Sequence, residues 1–248
     1  MDEVLIITGA SRGIGAATAR IAGRSGYVVC VNYLKNKAAA KQIVEEIKAD
    51  GGRALAVGAN ISREDEVVKL FRTVDDKLGK ISALVNNAGI LETQMRIEDM
   101  NAARLNRIFL TNITGSFLCA REAVKRMSTK NGGKGGAIVN VSSAAARLGS
   151  AGEYVDYAAS KGAVDTFTRG LAQEVAEEGI RVNAVRPGVI DTDIHASGGE
   201  PGRVERVKAS IPMKRGGSAE EVAKAIMWLL SSESSYTTGS LLEVSGGR

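Results

Sequence analysis

The chain has 248 residues, a length that suits one large α/β domain. Apolar residues make up 44% and charged residues 25%, which allows a sizeable core and excludes a largely disordered chain. The net charge of +5 comes from basic residues mixed with acidic ones along the chain, so we expect no nucleic-acid partner.

Strand-like and helix-like patterns alternate along the chain. Seven strands are predicted, at residues 4–8, 27–33, 53–57, 81–85, 137–141, 180–185 and 240–244. Helices are predicted at 13–25, 37–49, 62–78, 100–127, 154–178 and 219–230. This order predicts a single-domain, Rossmann-type α/β fold over residues 1–248, with a doubly wound parallel sheet and helices on both faces. The irregular segment 191–217 is the expected substrate loop.

Two local signals refine the helices. Ser62, with Asp65 three residues later, is predicted to cap the third helix. Gly115 is expected to interrupt the long helical region 100–127.

A glycine-rich turn, T-G-A-S-R-G-I-G, follows the first strand and precedes the first helix. Gly9 permits a tight turn, Gly13 allows the backbone to approach a phosphate, and Gly15 allows the helix to pack closely on the sheet. The turn therefore predicts a dinucleotide whose pyrophosphate lies at the helix N-terminus.

The second strand indicates which dinucleotide is bound. An acidic residue at its end would bond the ribose 2′-hydroxyl of NAD, but this strand ends in Asn32-Tyr33. Arg12 lies in the glycine turn, and Lys35 and Lys37 follow the strand. Cations without an acid favour a 2′-phosphate, so we expect NADP(H) rather than NAD.

Tyr157 and Lys161 are four residues apart in a helical stretch, so they share one face of the helix. An ordinary tyrosine has a pKa of ~10, too high for proton exchange at neutral pH. A neighbouring ammonium favours the phenolate, and we expect Lys161 to lower the pKa of Tyr157 in this way.

These features together resemble the short-chain dehydrogenase/reductase family. The resemblance covers nearly the whole chain and rests on the following motifs: Thr8 to Gly15, Asn86-Asn87-Ala88-Gly89, Asn112, Ser143, Tyr157 with Lys161, Pro187-Gly188 and Gly246-Gly247. Within the family the chain is similar to bacterial 3-oxoacyl-carrier-protein reductases and to glucose 1-dehydrogenase-like enzymes. The resemblance implies hydride transfer between nicotinamide and a carbonyl or secondary alcohol, and a homotetramer.

The resemblance also implies roles for individual residues. Tyr157 is the expected general acid/base, Lys161 binds the nicotinamide ribose, Ser143 holds the substrate oxygen and Asn112 holds a water. The expected cofactor-binding residues are Gly9, Ser11, Arg12, Gly13, Ile14, Gly15, Asn32, Asn60, Ile61, Asn86, Ala88, Gly89, Tyr157, Lys161, Pro187, Gly188, Ile190 and Thr192.

Two residues compete with those assigned to the site, and two features of the sequence depart from the family pattern. Tyr154 has no lysine four residues later, and adjacent strand residues point to opposite faces, so only one of Ser142 and Ser143 can face the site. The resemblance favours Tyr157 and Ser143. However, Ser143 and Tyr157 are 14 residues apart where many relatives have 13, and Asn60 stands where relatives often have Asp.

The substrate itself is not readable from the sequence. His195 is a candidate contact, and Arg147 and Arg186 would favour an acidic substrate. A sugar dehydrogenase is the alternative enzyme, and a non-catalytic NADP-binding sensor is the alternative class.

Location and metal content follow from sparse signals. The N-terminus has no basic n-region or cleavage site, and no apolar stretch reaches the roughly 20 residues of a membrane span, so we expect a cytoplasmic protein. The two cysteines, Cys30 and Cys119, are predicted to be buried thiols. With one histidine in the chain, no metal site is predicted.

Overall fold

The computed structural model describes residues 3–248, without the side chain of His195. The strands are β1 (Val4–Ile7), β2 (Val28–Tyr33), β3 (Arg53–Gly58), β4 (Ile81–Asn86), β5 (Gly136–Val141), β6 (Ile180–Pro187) and β7 (Leu241–Val244). They form one sheet in the order β3-β2-β1-β4-β5-β6-β7, and every neighbouring pair is parallel.

Helices connect successive strands. They are α1 (Gly13–Arg24), α2 (Lys37–Ala49), α3 (Glu64–Lys77), α4 (Ala102–Phe109), α5 (Gly115–Met127), α6 (Ala145–Leu148), α7 (Val155–Val175), α8 (Ile194–Ser197), α9 (Arg203–Val207) and α10 (Ala219–Leu230). None of the helices within residues 3–248 is long and apolar enough to span a membrane.

Both faces of the sheet are covered, which explains why the central strands are apolar throughout. In β1, Leu5 and Ile7 pack with residues of α1, α2 and α10 in one core. Their neighbours Val4 and Ile6 pack with residues of α3, α5 and α7 in the other. The doubly wound parallel sheet predicted from the sequence is therefore confirmed.

The structure corrects or refines three local predictions made from the sequence. Arg63, not Ser62, precedes α3, because the backbone and side chain of Ser62 both bond to Asn60 Oδ1. The interruption expected around Gly115 in region 100–127 is a π-helical turn (here called the π-turn) at Leu110–Thr114, directly before Gly115. Segment 191–217 is partly regular, since it contains α8 and α9.

The two thiols provide a test of this packing. Cys30 on β2 and Cys119 on α5 are both fully buried in the second core, and burial raises the pKa of each to about 12. Because the thiolate is the reactive form, we expect almost no reaction of the native protein with Ellman's reagent at pH 8. After unfolding in guanidinium, two thiols per chain should react. Rapid reaction of either thiol in the native protein would contradict the packing.

Candidate active site

A cleft of about 970 Å³ opens at the carboxyl ends of the strands. Segments that follow β1, β2, β3, β4, β5 and β6 all contribute to its walls. The chain after β1 leaves towards the core that contains α1, and the chain after β4 leaves towards the core that contains α5. Such a divergence is where open α/β sheets bind their ligands.

The glycine turn forms one wall of this cleft. Gly9 has a φ of +62°, and a Cβ there would lie 2.9 Å from the Ala88 Cα. Gly13 also has a positive φ, of +56°. No side chain caps the first turn of α1, and no acidic residue lies within it. The N-terminus of α1 therefore suits an anionic group such as a pyrophosphate.

Gly15 has a different position from the other two glycines. It is buried, does not line the cleft, and a Cβ there would lie 2.5 Å from Asn87 Nδ2 and 2.8 Å from the Gly9 carbonyl. Its role is thus close packing of α1 against the turn and the end of β4.

Two asparagines hold the turn in place. Asn32 is almost fully buried, its Oδ1 accepts from Gly9 N, and its Nδ2 donates to the carbonyls of Val57 and Ala59. Asn87 Nδ2 donates to the carbonyls of Thr8 and Gly9. The Asn32 amide is therefore engaged within the protein, at the edge of the cleft that it lines.

Asn86, which is expected to contact the cofactor, does not line the cleft. Its side chain is buried, and its Nδ2 donates to Asn140 Oδ1 and to the Ser116 carbonyl. Adjacent residues of a strand point in opposite directions, so it is Asn87 that reaches the cleft. The sequence pattern Asn86-Asn87 contained this signal but did not show which face each side chain takes.

The far end of the cleft has a cationic wall. Arg12, Leu34, Lys35 and Asn36 line it, whereas Lys37 does not. Arg12 is exposed, and its guanidinium donates to Ser197 Oγ at 3.3 Å. This contact connects the glycine turn to the segment 191–217 across the cleft.

Asn60 also lines the cleft but has other contacts in the protein. Its backbone N–H donates to Glu66, and its Oδ1 accepts from both the backbone and the hydroxyl of Ser62. Asn60 Oδ1, the acceptor oxygen that asparagine shares with aspartate, is thus already hydrogen-bonded to Ser62.

The π-turn positions Asn112, which lies behind the cleft wall and is almost fully buried. Its Oδ1 accepts from Ile90 N, and its Nδ2 donates to the Ile90 carbonyl and to Ser160 Oγ. A Cβ on Gly89 would lie 3.4 Å from both Asn112 Oδ1 and Lys161 Nζ. The glycine thus leaves open the space between the two side chains that a Cβ would contact. π-turns of this kind often occur at functional sites.

The structure brings Ser143, Tyr157 and Lys161 together on one wall of the cleft. The Ser143 side chain lies close enough to the Tyr157 hydroxyl to favour a lower pKa of that group. Lys161 Nζ lies 5.6 Å from the centre of the Tyr157 ring and donates to the Val141 carbonyl at 2.7 Å. The i, i+4 spacing on α7 and the end of β5 together produce this arrangement.

The pKa of Tyr157 differs from the expectation. Burial raises it, and the nearby Ser143 side chain opposes that rise without outweighing it. Lys161 does not lower the pKa of Tyr157. Burial lowers the pKa of Lys161 itself to about 8, and the charge of Asp165 opposes that shift. The lysine is thus an ammonium below about pH 8 and a neutral amine above it.

The two rival residues have structural contacts of their own. Ser142 is buried and its hydroxyl donates to the Lys161 carbonyl. The Tyr154 hydroxyl donates to the Gly198 carbonyl at 3.4 Å, and the Arg203 guanidinium lies 5.0 Å from its ring centre. Tyr154 therefore packs the pocket wall against segment 191–217.

A group of four charged side chains joins that segment to the loop before α7. Arg203 pairs with Glu153 at 2.5 Å and with Glu200 at 2.9 Å, and Arg206 contacts the same two glutamates. Hydrogen bonds from Arg206 hold the pKa of Glu200 at about 2. Sequence reasoning missed this group, whose members are up to 53 residues apart.

Arg147 and Arg186 do not line the cleft. Arg186 pairs with Asp165 and with Glu243, and Arg147 lies 3.8 Å from the same Glu243. The expectation that these two arginines favour an acidic substrate is therefore wrong. The side chain of His195, the other candidate contact, lies outside the described part of the structure.

A tight turn connects α6 to α7 within the stretch between Ser143 and Tyr157. Gly149, Ser150 and Gly152 all have positive φ there, and the Ser150 carbonyl accepts from the N–H groups of Glu153 and Tyr154. We expect any longer spacing relative to other family members to be accommodated in this turn, before α7 begins.

Most of the residues predicted for the site do line the cleft. They are Gly9, Ser11, Arg12, Gly13, Ile14, Asn32, Asn60, Ile61, Ala88, Gly89, Ser143, Tyr157, Lys161, Pro187, Gly188, Ile190 and Thr192. Gly15, Asn86 and Asn112 lie behind its walls.

Comparisons with known proteins place this geometry in context. A family model described as enoyl-(acyl carrier protein) reductase matches residues 9–248. The uncharacterized oxidoreductase YgfF of Escherichia coli (strain K12) is 60% identical over 99% of both chains. A 3-oxoacyl-[acyl-carrier-protein] reductase of Synechocystis sp. is 42% identical over 99% of this chain and 96% of its own. The crystal structure of acetoin dehydrogenase YohF from Salmonella typhimurium superposes with a TM-score of 0.88 at 33% identity, covering 100% of this chain and 97% of that one.

Proposed function

Because the chain belongs to the short-chain dehydrogenase/reductase family, and is thus an oxidoreductase with a nicotinamide cofactor, we propose that it is an NADP(H)-dependent carbonyl reductase or alcohol dehydrogenase. The observation that carries this proposal is the meeting of Ser143, Tyr157 and Lys161 beside Gly89 in the cleft. When bound, the nicotinamide supplies or accepts a hydride.

In this proposal the Tyr157 hydroxyl donates a proton to the substrate oxygen during reduction and accepts it during oxidation. The Ser143 hydroxyl bonds the same oxygen and holds it near Tyr157, which favours proton transfer by positioning. The raised pKa of Tyr157 keeps the phenol protonated at neutral pH, which suits the general acid of a reduction.

Lys161 and Asn112 support this tyrosine. We assign the Lys161 ammonium to the ribose hydroxyls of the nicotinamide, because its Nζ is already fixed at the cleft wall by the Val141 carbonyl. Asn112 lies next to Lys161 at Gly89, where a water between them would give the lysine a proton route. Its side chain already bonds Ile90 and Ser160, so it acts from a fixed position.

The remainder of the cofactor would lie along the glycine turn. The pyrophosphate would contact the uncapped N-terminus of α1, and the adenosine would pass Asn60 and Ile61. A 2′-phosphate would meet Arg12 and Lys35 at the cationic wall, where the described cleft lining after β2 has no acidic side chain. This supports NADP(H) over NAD.

A cytoplasmic, homotetrameric protein completes the proposal. Two free, buried cysteines suit a reducing compartment. The exposed Leu110 and Phe117, with Phe117 stacked on Phe167 at 3.7 Å, form an apolar patch on the helices after β4. β7 is an edge strand of the sheet. Both surfaces suit contacts between copies of the chain.

The reaction is tested by turnover. Purified protein with NADPH is offered 3-oxoacyl thioesters, diketones, quinones and enoyl thioesters, and with NADP⁺ it is offered sugars, while absorbance of the reduced cofactor is followed. Turnover of a carbonyl or alcohol supports the proposal. Cofactor binding without turnover of any of them would favour the non-catalytic sensor.

With the substrate found in that screen, Tyr157→Phe should lower kcat by roughly 10²–10⁴-fold, because the proton donor is lost. The affinity for NADPH, measured by its fluorescence, should stay within a few-fold of the wild type. Tyr154→Phe is the matched control and should keep most of the kcat. Undiminished turnover by Tyr157→Phe would exclude the assigned role.

Arg12→Gln should reduce kcat/KM for NADPH by roughly 10–100-fold, the effect of losing one charge-assisted contact. The value for NADH should change little, because NADH has no 2′-phosphate. Lys37→Gln, outside the cleft lining, is the control. A wild-type preference for NADH would refute the cofactor assignment.

Light scattering coupled to size-exclusion chromatography tests the tetramer. We expect about four times the chain mass of 26.0 kDa, and we expect Phe117→Glu to dissociate the assembly because it places a charge on the apolar patch. A wild-type monomer at micromolar concentration would contradict this part of the proposal.

A further inference from the structure

Asp165 is a buried carboxylate on the same helix as Lys161 and one turn beyond it. The two residues are at i and i+4, so their side chains leave α7 on one face. Asp165 does not line the cleft and has no place in the proton transfer described above. Its charge nevertheless lies close to the amine on which cofactor binding is proposed to depend.

Asp165 is held by an arginine from the sheet. Both Nε and Nη2 of Arg186, on β6, donate to Asp165 Oδ2, at 3.0 and 2.7 Å. Arg186 Nη1 donates in turn to Glu243 on β7. The other carboxylate oxygen, Asp165 Oδ1, is buried and has no hydrogen-bond partner in the protein. One oxygen thus anchors the side chain to Arg186, and the other is left without a hydrogen-bond partner.

The elements packed against α7 supply few other charges near Lys161. β5 and the π-turn contribute uncharged partners, the Val141 carbonyl and Asn112. Arg104 of α4 is bonded to Asp156. On α7 itself, Tyr157 is the other titratable neighbour.

Two arginines from elements packed near α7 also carry charge in this region. Arg186 of β6 faces Asp165, and Arg147 of α6 lies beside Glu243, whose carboxylate also binds Arg186. Asp165 is therefore the nearby carboxylate whose charge favours the Lys161 ammonium.

We propose that Asp165 is a positioning residue of the active site, whose buried carboxylate supplies the counter-charge for the Lys161 ammonium while Arg186 limits its strength. The proposal rests on the proposed role of Lys161 in cofactor binding. Burial alone disfavours an ammonium, so without Asp165 the lysine would lose its proton at a lower pH. Arg186 has the opposite effect, since its cation neutralises part of the carboxylate.

The pH dependence of NADPH binding tests the proposal. In the wild type, affinity measured by NADPH fluorescence should fall as the pH rises through about 8, where Lys161 loses its proton. Asp165→Asn should move this alkaline limb down by roughly one pH unit, because an opposite charge is removed. Arg186→Gln should move it up. The kcat/KM profile for an identified substrate should follow the same shifts.

Three comparisons separate this effect from a loss of structure. Asp75→Asn removes a carboxylate paired with Arg126 on α3 and α5 and should leave the limb unchanged. Asp165→Glu should keep it close to the wild-type position. If Asp165→Asn does not fold, the direction of the Arg186→Gln shift decides.

Coincident limbs for the wild type and a folded Asp165→Asn would overturn the proposal, as would an unshifted limb in Arg186→Gln. Absence of turnover with every carbonyl, with NADPH binding intact, would instead count against the proposed function alone. The binding profile then still decides the role of Asp165.

Discussion

The site depends on one constraint: the chain that follows β1 and the chain that follows β4 lead to opposite faces of the sheet. From β1 the chain crosses to β2 in one direction along the sheet, and from β4 it crosses to β5 in the other direction. Because crossovers between parallel strands are right-handed, α1 and α5 lie on different faces of the sheet. The carboxyl ends of β5 and β6 also border the crevice between these two connections. Side chains far apart in the chain, such as Gly9 and Tyr157, meet there. Every contact proposed for the cofactor follows from that divergence.

The crevice also sets the electrostatics of the site. Lys161 lies where water is largely excluded, so its charge must be stabilised by the protein. The Val141 carbonyl accepts from Nζ, and the carboxylate of Asp165 acts from one turn away. The same surroundings raise the pKa of Tyr157. The ionisation of Lys161 and that of Tyr157 thus depend on the same buried surroundings.

The end of the cleft proposed for the substrate (the substrate end) is built differently from the end proposed for the cofactor (the cofactor end). The cofactor end consists of backbone and glycine, whose positions are set by Asn32 and Asn87. The substrate end is closed by α8 and α9, which hold to the rest through Arg12, Tyr154 and the Arg203 ion pairs. The Arg203 ion pairs are partly shielded from water, since the Arg203 side chain is only 11% exposed. The segment that carries α8 and α9 is thus held by side-chain contacts, whereas the glycine turn is held through its backbone.

The amino-acid sequence by itself determined what depends on short-range patterns. Strand and helix alternation, the glycine turn and the Tyr157–Lys161 spacing are local, since each is a periodicity or a conformational need of neighbouring residues. Tertiary structure alone decided that Asn87 and not Asn86 reaches the cleft, that Arg186 binds Asp165, and that burial lowers the pKa of Lys161. Side-chain direction and solvent exclusion arise from packing between distant segments, which no local pattern contains.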